Sequence, residues 1–131
     1  MKTMMTTGRC LCESITYEVH APEKPLYSGL CHCKDCQRYT GAAFASSLMI
    51  FREQFSLFGE LKYHGVIAEE GSIMERRLCP DCGSNILCRS EAWKNMYFLA
   101  AGTLDDTSYF RPRINIFVRS AMLHVWEIDK L

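Results

Sequence analysis

Seven of the chain's eight cysteines stand in three tight groups: Cys10-Leu11-Cys12, Cys31-His32-Cys33-Lys34-Asp35-Cys36 and Cys79-Pro80-Asp81-Cys82. Thiolates at such spacings suit a divalent metal. A closed structural zinc site takes four protein ligands, whereas a catalytic zinc takes three and keeps one position open. Seven divides into four and three. The count therefore predicts two zinc ions per chain, one holding the fold and one doing chemistry, the second of them subject to partial occupancy.

Cys79-Pro80-Asp81-Cys82-Gly83 is the strongest local signal. The turn aims two thiolates at one ion, and the glycine tolerates positive φ, which lets backbone N–H groups fold back toward sulfur. A redox Cys-x-x-Cys sits ahead of a long helix in a βαβ unit. Here Ser84-Asn85-Ile86-Leu87 reads as a strand, which favours metal. The knuckle needs a second half-site, and both other groups qualify. Cys10 and Cys12, expected at the start of a strand and on one face by period two, supply two ligands and fit a closed four-thiolate site with Cys79 and Cys82.

Cys31, Cys33 and Cys36 can wrap one ion from a single loop and helix start, leaving a coordination position open. A helix N-terminus lowers thiolate pKa values nearby. His32 is expected to point away from its neighbours, although seven cysteines plus His32 could also make two closed sites. Three thiolates leave a zinc site at net charge about −1, so a bound thiol is favoured over a strongly activated water. Lys34 and Arg38 are the sequence-adjacent cations for a carboxylate-bearing substrate, against the plain reading of solvated surface charge. Cys88 reads as a small buried hydrophobe, and His20, His64 and His124 carry no assigned role.

The elements that must position these groups are mostly strands. Ile15, Tyr17 and Val19 alternate with polar neighbours, and Phe44 to Phe51 is a more continuously apolar run. Ile73–Leu78 and Asn85–Arg89 flank the third group as a hairpin, with further strands at Met96–Ala101 and Ile114–Val118. A short helix is expected over about Asp35–Tyr39 and a helical turn near Arg52–Phe55. The 131 residues, 48% hydrophobic, predict one domain over 1–131 with a core of its own. Basic and acidic residues balance at 15 each, which argues against a nucleic-acid surface. Zinc loading would leave the chain mildly acidic. No apolar run follows Lys2, so no signal peptide is expected, and none is long enough to span a membrane. A reducing cytoplasm is the expected compartment, where clustered cysteines bind metal more often than they pair.

Taken in order, Gly8-Arg9-Cys10-Leu11-Cys12, Cys31-His32-Cys33-Lys34-Asp35-Cys36, Gly41-Ala42-Ala43-Phe44, Arg77-Leu78-Cys79-Pro80-Asp81-Cys82-Gly83-Ser84 and Gly102-Thr103-Leu104-Asp105 resemble the glutathione-dependent formaldehyde-activating family, which also includes centromere protein V. The resemblance runs from about Gly8 to Val118. It implies a mainly β, tent-like fold of short antiparallel strands around a structural zinc. That zinc would be held by Cys10, Cys12, Cys79 and Cys82, and a second, catalytic zinc by Cys31, Cys33 and Cys36. It also implies carbon–sulfur lyase chemistry, run as condensation of formaldehyde with glutathione to S-hydroxymethylglutathione. Leu78 stands where the family commonly has an aromatic, Asn115 where a histidine is frequent, and Leu123–Glu127 matches loosely. Two other function classes compete. One is a non-catalytic zinc module that binds protein or nucleic acid, for which Arg76, Arg77, Arg111, Arg113 and Arg119 look like ordinary strand-face charges. The other is a thiol redox sensor built on the second group.

Overall fold

The computed structural model describes the backbone of residues 3–130 and the side chains of residues 3–127; Met1, Lys2 and Leu131, at the ends of the expected domain, lie outside the described residues. Among the described residues the strands are β1 (Thr3–Arg9), β2 (Thr16–Pro22), β3 (Ser28–Cys31), β4 (Ala45–Phe51), β5 (Phe55–Phe58), β6 (Lys62–Ile67), β7 (Ile73–Leu78), β8 (Asn85–Ser90), β9 (Met96–Ala100) and β10 (Ile114–Ile116), with one α-helix, α1 (Lys34–Thr40), and five short 3-10 segments. They form a three-stranded sheet in the order β1-β2-β5 and a seven-stranded sheet in the order β10-β3-β4-β9-β8-β7-β6. Every pairing is antiparallel except β10 with β3, which is parallel.

The fold is mainly β, as the sequence predicts. Alternation in β2 buries Tyr17, Val19 and Ala21 while Thr16 and His20 face out. These meet Leu48 and Ile50 of β4, Ile86 of β8 and Leu99 of β9, so the core lies between the two sheets. The more continuously apolar character of Phe44 to Phe51 has a cause here. One face of β4 packs in that core, and the other, with Ser47 and Met49, is half-buried against a cavity.

Side-chain hydrogen bonds also tie the first sheet to the segment that follows β9. Tyr17 Oη lies 2.7 Å from Thr103 Oγ1, and Thr7 Oγ1 donates to Asp105 Oδ2 at 2.7 Å. Gly8 is required by this crossing: a Cβ there would sit 2.1 Å from Tyr17 Oη and 2.5 Å from the Thr103 carbonyl oxygen.

Three expectations need adjustment. Cys10 and Cys12 do not begin a strand. β1 ends at Arg9 and both cysteines lie in the turn to β2, where Glu13 has φ 70°. Their sulfurs converge through turn geometry, with the Cys10 amide donating to the Ile15 carbonyl at 3.0 Å, rather than through period two. The strand expected to Val118 stops at Ile116 because Phe117 adopts the left-handed region, φ 55°. Helix α1 begins at Lys34 and ends on Gly41 at φ 69°, one residue longer at each end than expected.

Candidate metal centres and cavity

The tip of the β1–β2 hairpin meets the tip of the β7–β8 hairpin. There the sulfurs of Cys10, Cys12, Cys79 and Cys82 all lie within 4.8 Å of one another. Ligands at about 2.3 Å around a tetrahedral zinc are separated by about 3.8 Å. Cys10 and Cys12 sulfurs are 3.7 Å apart, and those of Cys12 and Cys79 are 3.8 Å apart. The thiols are thus already spaced for such an ion, although the sequence positions they join differ by 67.

Local hydrogen bonds hold that spacing. The Cys79 amide donates to the Ser84 carbonyl and the Gly83 amide to the Cys79 carbonyl, both at 2.9 Å, and Gly83 takes φ 77° to close the turn. The Ser14 hydroxyl lies 3.1 Å from Cys12 Sγ and 3.3 Å from Cys79 Sγ; that of Ser84 lies 3.1 Å from Cys82 Sγ. The Ser84 hydroxyl oxygen also accepts from the Leu11 amide at 3.0 Å, tying one knuckle to the other. The Ser84 hydroxyl and its backbone N–H bring the Cys82 thiol down to about 5, the range of a ready thiolate ligand. At Cys10, burial works upward, but the Ile15 amide and the neighbouring thiols outweigh it and hold the group below its ordinary range.

The second group is built differently. Cys31 ends β3, its Cα paired with Ala45 of β4 and Ile116 of β10. Cys33 caps α1, its sulfur accepting from the Cys36 amide at 3.3 Å. The three sulfurs lie within 4.8 Å of one another. Donation from Cys36 brings the Cys31 thiol down to about 6, while burial raises Cys33 and the contact with Cys31 raises Cys36. The lowering expected at the helix start does not appear there: Cys33 and Cys36, at the start of α1, are raised, and the lowered thiol, Cys31, lies at the end of β3. Three like charges this close do not ionise together without a cation between them, and a divalent soft metal is the group whose charge and ligand preference fit. Both donor sets, all sulfur, suit zinc.

His32 belongs to neither set. It is fully buried, and its Nε2 lies 3.0 Å from Asn115 Oδ1, pointing away from the thiols as expected. The Phe44 and Trp126 rings flank it at 5.3 and 5.1 Å between centroids. Its Nδ1 has no hydrogen-bond partner among the described residues. Asn115 thus serves the bond that fixes the residue between Cys31 and Cys33. Asn115→Leu leaves both ring nitrogens unpaired and is expected to lower stability by about 1–3 kcal/mol. An unchanged urea midpoint would show that the bond carries no weight.

What separates the two thiol sets is access. Cys31, Cys33 and Cys36 line a cavity of about 610 Å³, whereas none of the other four does. Its floor is the outer face of the seven-stranded sheet. Met49, Phe98, Cys88 and Arg76 stand in one cross-strand row over β4, β9, β8 and β7. Its roof includes Cys36 and Tyr39, one helical turn apart on α1. Cys88 is half-buried in the floor rather than in the core, and burial pushes its thiol up to about 11.

The cations are not where sequence adjacency put them. Lys34 and Arg38 are exposed and absent from the cavity lining, whereas Arg76 is buried and faces it. The sequence reading of Arg76 as an ordinary strand-face charge is corrected accordingly: it is buried on the face that lines the cavity. Arg77, its neighbour on the opposite face, fits that reading and bonds Glu75 at 3.0 Å. Only alternation along β7, once the roofed face is known, distinguishes the two arginines.

A mainly β chain with a four-thiol group and a three-thiol group opening on a cavity defines a cysteine-rich class whose thiol groups could hold metal ions, with room for a small ligand. The chain belongs to the glutathione-dependent formaldehyde-activating enzyme family, whose pattern matches residues 5–120. Two curated relatives carry the name "Putative glutathione-dependent formaldehyde-activating enzyme". One, from Podospora anserina, is 24% identical over 119 residues, covering 88% of this chain and 55% of the relative. The other, from Fusarium vanettenii, is 25% identical over 126 residues, covering 94% and 67%. This chain thus spans little more than half the length of the first. A crystal structure of a Rhodobacter sphaeroides protein shares the fold, with TM-score 0.58 and 16% identity over 76% of this chain and 87% of the other.

Proposed function

We propose that residues 1–131 form one zinc-holding domain that makes and breaks a carbon–sulfur bond between a small thiol, such as glutathione, and a small aldehyde, such as formaldehyde. In this reading Cys10, Cys12, Cys79 and Cys82 hold a structural zinc, and Cys31, Cys33 and Cys36 hold a second. The observation that carries it is the opening of the three-thiol group, and not the four-thiol group, onto the 610 Å³ cavity. A zinc ion held by these three cysteines would supply a Lewis-acidic position that favours the deprotonated form of a substrate thiol at neutral pH. The chain's own residues do the rest. Met49, Leu87 and Phe98 give the cavity apolar walls, which keep water from competing with the thiol. Cys33, capping α1, and Cys31, at the end of β3, present the ligands from rigid elements.

Condensation forms the bond from thiol sulfur to carbonyl carbon as the carbonyl π bond breaks, and the proton of the broken S–H bond ends on the carbonyl oxygen as a hydroxyl. The lyase direction reverses both. A cytoplasmic setting, with thiols kept reduced, suits both the ligands and the substrate; among the described residues no helix is long and apolar enough to cross a membrane.

The test is direct. Purified protein should carry two zinc ions per chain and should speed the exchange of formaldehyde between free and thiol-bound forms, followed by NMR line shape, above the uncatalysed rate. Exchange no faster than in buffer, with both metals in place, defeats the proposal.

A further inference from the structure

Arg76 is the group in the cavity that the chemistry above does not use. It is 7% exposed in the middle of β7, makes no ion pair or hydrogen bond to any described residue, and lies with its guanidinium carbon 4.9 Å from the centre of the Tyr39 ring. The arrangement is particular to this arginine. On the other face of the same hairpin Arg77 and Arg89 share Glu75, each at 3.0 Å. A buried cation without a counter-ion is costly, and a partner that restores the charge balance stabilises it strongly. Stacking on Tyr39 holds the guanidinium plane in place but leaves its N–H fork free to meet a planar anion.

A second unsatisfied group stands beside it. Tyr39 Oη is buried with no partner among the described residues. Burial, with Cys88 nearby, pushes its phenol up to about 12, so it stays protonated and can donate. Tyr39 is also one turn of α1 from Cys36, so the ring that stacks on Arg76 stands in the same wall as the thiols. The cavity therefore has the thiols and the Tyr39 hydroxyl in its roof, the Arg76 guanidinium in its floor, and apolar side chains such as Met74 and Phe98 in its lining.

We propose that Arg76, with Tyr39, binds a carboxylate of the ligand, and that the thiols taken by this cavity are those carrying a carboxylate. The proposal rests on the thiol-binding reading of the three-cysteine site and narrows its substrate class. Arg76 is a binding residue here, with no part in bond making.

Calorimetry on the zinc-loaded protein with three probes separates the possibilities: 3-mercaptopropionate, its neutral analogue 3-mercaptopropionamide, and thiol-free butyrate. The acid should bind about 10- to 100-fold more tightly than the amide, the range expected of a charge-assisted pair. Arg76→Met should erase the difference without changing the zinc count, and Arg76→Lys should keep part of it. Equal binding of acid and amide by the unaltered protein overturns the carboxylate proposal and leaves the thiol reading standing. So does a preference that survives Arg76→Met. A fall in zinc affinity in Arg76→Met with the acid preference intact assigns the arginine to balancing the thiolates, which also overturns it. Butyrate binding as tightly as the mercapto acid, and only with Arg76 present, keeps the anion site and removes the thiol reading. Binding of none of the three removes both.

Discussion

Cys79→Ser is expected to unfold the chain. The residue is wholly buried, and its sulfur is one of four that join the β1–β2 turn to the β7–β8 turn across 67 sequence positions. Without an ion at that junction, four thiols crowd one point, and among the described residues the Ser84–Leu11 bond and weak sulfur contacts join the hairpin tips. A structural zinc contributes about 10–16 kcal/mol of apparent binding energy in small domains, against a total stability of about 5–15 kcal/mol for a native protein. Losing one ligand of four therefore threatens the whole margin. Circular dichroism, a urea titration and metal analysis together check it. The expected result is no cooperative transition and less than one zinc per chain. A folded variant with two zinc ions would show that the four-thiol site does not hold the sheets together.

The sequence made this site legible and most of the sheet order illegible, for physical reasons. Cysteine spacing is local chemistry, so the knuckle at Cys79 to Gly83 and the strand after it could be read directly. A strand with one buried face, such as β2, announced itself by alternation. β6 did not: as an edge strand, four of its first five residues, Lys62, Tyr63, His64 and Gly65, are exposed, so it has no apolar period to detect. β3 is four residues long and buries Ser28 and Gly29, residues that read as loop. Its position between β10 and β4 depends on a parallel pairing with a strand 83 residues away in sequence, which no local pattern encodes. The choice of Arg76 over Lys34 and Arg38 as the cavity's cation was hidden for the same reason. It depends on which face of β7 lies under α1.

Cys36→Ser is expected to separate function from fold. Cys36 belongs to the three-thiol group, on the first turn of α1, and lines the cavity together with Tyr39 and Thr40. It is half-buried, and the core that joins the two sheets includes none of the three cysteines of this group. The substitution is nearly isosteric and leaves its backbone N–H to cap Cys33 Sγ, so α1 keeps its start. Two remaining thiolates make a poor zinc site, and losing even an outer partner of a metal ligand typically costs about 10–100-fold in affinity or activity. Loss of a direct ligand should therefore lower formaldehyde exchange on the order of 100-fold or more. The zinc content should fall from two per chain to one, and the urea midpoint should stay close to that of the unaltered protein. The contrast with Cys79→Ser is the informative part: one variant loses the fold and both metals, the other keeps the fold and one metal. If Cys36→Ser instead retains two zinc ions and full exchange activity, the open thiol site is not where the bond is made. If it unfolds as Cys79→Ser does, the division of seven cysteines into a structural four and a reactive three is wrong.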